Sequence, residues 1–346
     1  MEEMEDYDAR VTPYMIDESE FAAVHTLEEK AKFLLRYAVL APSGHNAQPW
    51  QFGLTGDGVL VYADYSRRLP VANPDDRELI MSVATSITNL RIAAAHFGLA
   101  CDVRYLPQPG KKDLLASVKL SEGQADHRMA DLFPAVLTRW TNRFEYDDKK
   151  LSEADRAELG PFTTLGGASI AIITDDVTRG KLADVIEQGD LKRMADKAFT
   201  RELSDWIRPD RSRKTDGMLA TALGIPPLVS GVAPWIVRTF NTSKSQAKKE
   251  SALARASAAL VVLHGEDETI NLLEAGELLE RFILKLTFVS MFYSFFNLPV
   301  ELDDLRAKIQ SLAGIDDQPQ LLLRIGYGAR PKTDSLRRSV EDVLKA

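Results

Sequence analysis

The sequence predicts an α+β protein made of two related halves, with a mixed sheet around long central helices. Two long apolar helical stretches stand far apart, at 76–98 and 270–296. Each is followed by a turn and strand material, and short apolar strand segments recur in both regions, a coarse internal similarity that points to duplication. At 346 residues, 45% hydrophobic and 27% charged, the chain is long enough to bury a large core.

Residues 1–26 are rich in Glu and Asp and lack periodicity, which reads as an acidic, mobile or peripheral arm. The first half, 27–125, opens with a helix. Phe33, Leu34, Tyr37, Ala38 and Leu40 recur at helical spacing, and Pro42 forces its neighbour out of the helical region, so the helix stops near Ala41. Apolar segments at 50–54 and 59–62 flank Thr55-Gly56-Asp57-Gly58 and read as a hairpin. Leu79, Val83, Ile87, Leu90, Ala94 and Phe97 then mark a long helix from Asp76, with Gly98 as its stop. Strands follow at 100–106 and 114–120, and 121–128 reads as a connection.

The second half, 126–346, contains an apolar run at 132–137, strands at 168–174, 258–263 and 320–325, and helical segments at 177–199, 270–296 and 302–312. Leu278, Leu279, Phe282, Leu286, Val289, Phe292 and Phe296 bury the longest of these in the centre. The stretch 203–240 carries Trp206, Pro209, Pro226, Pro227, Pro234 and Trp235, and its aromatic residues favour a lid over a disordered insertion.

A net charge of −8 and a pI near 5.3 argue against unspecific nucleic-acid binding, since no basic stripe is present to neutralise phosphates. Cys101 is the single cysteine, and no Cys or His cluster has ligand spacing, so a reducing cytoplasm and a metal-free site are expected. The longest uncharged apolar stretch, 286–296, is too short to span a bilayer, and no secretory signal is expected. His96 reads as structural. Neither a dinucleotide fingerprint nor a P-loop occurs, so any phosphate must be held mainly by side chains.

Chemistry is best sought in Ala41-Pro42-Ser43-Gly44-His45-Asn46-Ala47-Gln48-Pro49-Trp50, a polar loop between an apolar helix and an apolar strand. Ser43, His45, Asn46 and Gln48 offer donors and acceptors, and Gly44 allows a ligand near the backbone. The string Pro-Ser-Gly-x-Asn-x-Gln-Pro-Trp resembles the flavin-binding signature of the FMN-dependent nitroreductase family. The resemblance implies that Pro42, Ser43, Gly44, His45, Asn46 and Gln48 line an FMN site.

FMN demands cations for its phosphate and for a pyrimidine edge that becomes more negative on reduction, and Arg139 and Arg143 are suited to both. Composition alone would make them a solvated basic turn. Arg139-Trp140-Thr141-Asn142-Arg143-Phe144, however, resembles the family's Arg-x-Ser-x-basic motif. By that likeness Arg139 and Thr141 hold phosphate, Arg143 faces the ring and Trp140 sits between them. Arg337 and Arg338 resemble the family's basic C-terminal end and rank below Arg139; read without the family, they would be an exposed pair at the start of a terminal helix.

The loop precedes the Arg motif, the reverse of ordinary members, whose flavin lies between two subunits. A fused pseudo-dimer accounts for this, with one complete site per chain. The arrangement is similar to the Acg-like branch, which carries a lid over the flavin; Trp206 and Trp235 would then lie near the ring. The resemblance implies an oxidoreductase passing hydride from NAD(P)H through FMN to a nitro, quinone or similar electron-poor acceptor, with no catalytic side chain required. The alternative is an FMN storage protein closed by its lid. The expected partners are therefore NAD(P)H and a small acceptor, with neither nucleic acid nor membrane, in a monomer or homodimer.

Overall fold

The computed structural model describes residues 8–240, 242–331 and 335–345. Helix α1 (Leu27–Ala38) starts at a capping box: Thr26 Oγ1 accepts from the Glu29 N–H, and the Glu29 carboxylate accepts from the Thr26 N–H. It ends ahead of Pro42. Strands β1 (Trp50–Thr55) and β2 (Gly58–Ala63) pair with Thr55 opposite Gly58, so Gly56-Asp57 is the two-residue turn. Helix α2 (Arg77–His96) is followed by Gly98 at φ 77°, a left-handed turn that leads into β3 (Leu99–Tyr105). With β4 (Leu114–Glu122) these strands form an antiparallel sheet in the order β1-β2-β4-β3.

The stretch expected to be a mere connection at 121–128 holds the end of β4 and the start of α3 (His127–Ala130), which Asp126 caps. Short helices α4 (Phe133–Val136) and α5 (Glu153–Leu159) follow, then β5 (Thr164–Leu165) and β6 (Ala168–Ile173). The helical stretch at 177–199 is two helices, α6 (Asp176–Ala195) and α7 (Lys197–Asp205), divided where Asp196 caps the N–H of Ala198. The remaining elements are β7 (Ile207–Arg208), β8 (Met218–Leu219), α8 (Ala233–Thr239), α9 (Ser243–Ala256), β9 (Ala259–His264), α10 (Thr269–Phe288), β10 (Phe292–Phe295), α11 (Asp303–Ala313), β11 (Pro319–Gly326) and α12 (Val340–Val343).

Two expectations change here. The long apolar run is not one helix: α10 ends at Phe288, Ser290 turns the chain at φ 60°, and Phe292–Phe295 becomes a strand on β11. Apolar residues all round concealed that break. The expected mixed sheet is two antiparallel sheets, the second in the order β10-β11-β9-β6-β5, and among the named strands only β7 and β8 pair in parallel. The first sheet draws its strands from 50–122 and the second from 164–326.

Helices α2 and α10 cross at the centre, α2 packing on the first sheet and α10 on the second. Their backbones nearly touch at Gly276, where an added Cβ would lie 2.3 Å from the Met81 carbonyl oxygen. The described part of the N-terminal arm is docked: Phe21 stacks on Phe97 and packs on Phe33, and Glu18 meets His96 at 2.9 Å. The His96 ring also lies flat on Phe133, in keeping with a structural role.

Candidate functional site

The loop after α1 is built from residues in unfavourable backbone conformations. His45, Asn46 and Gln48 have φ of 50°, 55° and 53°, a region costly for side chains with a Cβ. The compensation is visible. Asn46 Nδ2 donates to the carbonyls of Gly217 and Leu336, each at 2.9 Å, and its Oδ1 accepts from Arg337 at 2.9 Å. Gln48 Nε2 donates to the Thr215 carbonyl at 2.9 Å, and its Oε1 accepts from the Arg338 N–H at 2.8 Å. Ser43 Oγ accepts from the Gln48 N–H at 2.9 Å, and the Pro42 carbonyl accepts from Thr85 at 3.0 Å. A Cβ on Gly44 would come within 3.0 Å of the Glu78 carboxylate.

Beside this loop lies a buried charge cluster. Arg139 and Arg337 each donate an Nη2 hydrogen bond of 3.0 Å to the Leu40 carbonyl, and Arg139 Nη1 donates to the Tyr293 hydroxyl. Arg139 Nε stands 3.8 Å from Glu280 Oε1. Glu280 is fully buried in α10, and burial pushes its carboxyl up to about 7 against the pull of Arg139 and Arg337. Asn89 of α2, with its amide turned so that both ends find partners, donates to Glu280 Oε1 at 2.9 Å and accepts from the Ala41 N–H at 3.3 Å. Among the described residues, Glu280 Oε2, Arg139 Nε and the half-buried His45's Nε2 are buried atoms with no hydrogen-bond partner.

The structure thus brings Pro42, Ser43, Gly44, Asn46, Gln48, Arg139 and Arg337 together. Thr141 adjoins them, its hydroxyl 3.4 Å from that of Tyr293. Arg143 lies against the lid stretch, its Nη2 3.9 Å from Met218 Sδ, and among the described residues no carboxylate is within ion-pair distance of it. Burial lowers the affinity of Arg143 for its proton. Burial and Arg143 together hold the His45 imidazole down to about 4.

Trp140 turns the other way, stacked with Tyr14 and covered by Arg330. Arg337 and Arg338 do not open a terminal helix, since α12 begins later; in their extended segment Arg337 points inward and is buried, whereas Arg338 straps Gln48 and the Asp342 carbonyl.

The stretch 203–240 is ordered and covers the loop, but not through its tryptophans. Trp235 is 57% exposed against Phe240, and Trp206 packs among Leu69, Ala72, Met194 and Phe199, with Arg67 and Arg208 over its ring. The covering residues are Thr215, Asp216, Gly217 and Met218. Asp216 is clamped by Arg67 and Arg208, and Arg67 also donates to the Ala47 carbonyl. These four residues fall within the stretch read as a lid but were not singled out in it, and the set Glu280, Tyr293 and Asn89 was missed by sequence reasoning. The one available signal was the pair of carboxylates Glu277 and Glu280 interleaved with Leu278, Leu279, Phe282 and Ile283.

Among the described residues no helix is long and apolar enough to cross a membrane, and no group of three or more His, Cys, Asp or Glu could hold a metal ion.

No family model matches the chain. It is 26% identical over 325 residues to "Putative NAD(P)H nitroreductase acg" of Mycobacterium tuberculosis (strain ATCC 25618 / H37Rv), covering 90% of this chain and 94% of that protein. It is 25% identical over 326 residues to "Putative NAD(P)H nitroreductase Rv3131" of the same strain, covering 92% and 91%. Among solved structures, a "putative nitroreductase from anabaena variabilis atcc 29413" matches 95% of this chain and 93% of its own, with TM-score 0.54 and 9% identity. The chain therefore has the nitroreductase fold and resembles, along nearly its whole length, the Acg-like branch of the FMN-dependent nitroreductases.

Proposed function

We propose that the chain is an FMN-binding oxidoreductase that passes hydride from NAD(P)H to a nitro, quinone or similar electron-poor acceptor. The observation that carries this is the convergence of Arg139 and Arg337 on one carbonyl beside the loop of Ser43, Gly44 and Asn46. The donor set suits the group: two buried guanidiniums and the hydroxyls of Ser43 and Thr141 match a phosphate dianion, and Arg139 Nε, ion-paired with Glu280, makes no hydrogen bond among the described residues. When bound, FMN supplies the hydride relay.

In this reading Arg139, Arg337, Ser43 and Thr141 hold phosphate, and Arg143 stabilises negative charge at the pyrimidine edge. Pro42, Gly44 and His45 form the wall. Asn46 and Gln48 act chiefly by fixing the left-handed turns, while Trp140 and Arg338 buttress from outside. The region 27–125 supplies the loop and 126–346 the arginines, so one chain suffices for one site. Residues 215–218 exclude water from it.

A second reading is FMN storage. It is favoured by the bonds from Asn46 and Gln48 to the carbonyls of Gly217 and Thr215, which tie the cover to the loop itself. Flavin-loaded protein mixed with NADH or NADPH and a quinone separates the two. Steady oxidation of the nicotinamide supports the oxidoreductase, whereas a bound flavin that stays inert supports storage.

A further inference from the structure

We infer that the outer face of the stretch 203–240, tipped by Leu228 and Trp235, docks on the surface of a bilayer of anionic lipid. Nothing in this contact requires the flavin.

An apolar and cationic patch stands here on a chain of the opposite sign. Leu228, Val229, Val232, Trp235 and Phe240 are all exposed, Leu228 at 99%. Single exposed apolar side chains are ordinary on a surface, but this many along one short stretch mark a contact. Between 211 and 249 the sequence holds seven lysines and arginines and one carboxylate, Asp216, whereas the whole chain carries −8. Asp216 is already clamped by Arg67 and Arg208, and the seven cations are all exposed.

Geometry joins the two features. The chain turns at Pro226 into the 3-10 turns of Pro227–Val232, which hold Leu228 outward. Helix α8 then sets Trp235, whose ring meets Phe240 edge-on at 5.2 Å, with Arg238 between them in sequence. At the base of the same loop a Cβ on Gly224 would lie 3.6 Å from Lys249 Nζ, which places a lysine of α9 beside the patch.

Carboxylates border the patch but leave its lysines unneutralised. Asp205 meets Arg238 at 4.0 Å, Glu250 accepts from Gln246 at 2.5 Å, and Glu145 follows Phe144, whose ring also approaches Gly224. Among the described residues no carboxylate lies within ion-pair distance of Lys244, Lys248 or Lys249.

A lipid surface fits this face better than a folded partner does. A side chain projecting as far as Leu228 needs a matching hollow in a protein, whereas acyl chains close round it. The flanking cations then meet anionic headgroups, and Trp235 takes the interfacial depth that an indole favours. The expectation of no membrane partner rested on the lack of a spanning segment, and a surface contact needs none.

The experiment is sedimentation of the full chain with vesicles of phosphatidylcholine alone and of equal parts phosphatidylcholine and phosphatidylglycerol, with tryptophan emission read on the same samples. Binding to the anionic vesicles only, weakening as salt rises, is expected. A blue shift should accompany it and vanish in Trp235→Phe, because Trp50 and Trp140 are already buried and Trp206 is packed among apolar side chains. Leu228→Asp should weaken binding at least about tenfold, and Lys248→Ala with Lys249→Ala about twentyfold, roughly fivefold for each charge. Val177→Asp, at an exposed apolar site elsewhere, should leave binding unchanged. No binding to anionic vesicles overturns the inference, as does binding that survives both the Leu228 and the lysine changes or that Val177→Asp weakens equally. A dimer that Leu228→Asp splits into monomers, without vesicle binding, assigns the face to a second copy and likewise overturns it.

Discussion

Arg139 and Arg337 donate to the same acceptor, the carbonyl oxygen of Leu40, each at 3.0 Å. That carbonyl lies just past the end of α1, where oxygens lack helical N–H partners and the helix dipole favours cations. The end of the first half's helix thus positions two arginines of the second half beside the loop that follows it.

Arg338 shares none of these contacts, which separates the two neighbouring arginines. Arg337→Ala and Arg139→Ala should each weaken FMN binding by about 1.5–3 kcal/mol, roughly ten- to hundredfold, through loss of a charge-assisted contact. Arg338→Ala should change it far less. Dissociation constants from flavin fluorescence provide the check, and equal small effects for all three would return the arginines to a purely structural role.

Asp216 is the clasp of the covering segment. Arg208 reaches Asp216 Oδ1 through Nε at 3.1 Å and Nη2 at 2.8 Å, and Arg67 binds its other oxygen. Asp216→Ala leaves two partly buried guanidiniums without their carboxylate and should loosen 215–218 from the loop. Limited proteolysis should then cut faster near this stretch, and bound flavin, once reduced, should react faster with oxygen while remaining bound. Unchanged rates for both would show that the segment is held elsewhere.

The crossing of α2 and α10 leaves no room at Gly276, where an added Cβ would also lie 2.7 Å from that of Ala84. Gly276→Val should push the central helices apart and cost at least about 1–3 kcal/mol, read as a lowered denaturant midpoint. An unchanged midpoint would mean that the crossing relaxes freely.

His45 provides a pH signature. Its imidazole is held down to about 4 in the folded chain against 6.5 ordinarily, by burial and by Arg143. The unfolded chain therefore binds this proton first, so stability should be lost as pH falls from about 6.5 towards 4. His45→Asn, which tolerates the left-handed backbone, should flatten that part of the profile. Denaturant unfolding at several pH values tests this, and parallel profiles for the two proteins would remove His45 from the account.

What was legible in the sequence was what depends on local pattern. Gly98, Pro42 and the turn at Gly56-Asp57 marked element ends because their backbone demands are intrinsic. Arg139 was singled out through its motif. Glu280 and Tyr293 were not, because their meaning arises only when α10 and β10 bring them to Arg139, and β10 itself hid inside an unbroken apolar run. Helix α9 was missed for a related reason: few large apolar residues mark its buried face, where Ala247, Ser251, Leu253 and Ala254 lie, so no stripe shows.

The central claim is that a single chain completes a single flavin site, with the loop at 42–48 and the arginines at 139 and 337 as its two sides. Its most direct test is the flavin content of FMN-saturated protein, freed of excess ligand and kept at a concentration where size measurement shows a monomer. One FMN released per chain on denaturation is the predicted result, and either two per chain or none would contradict it.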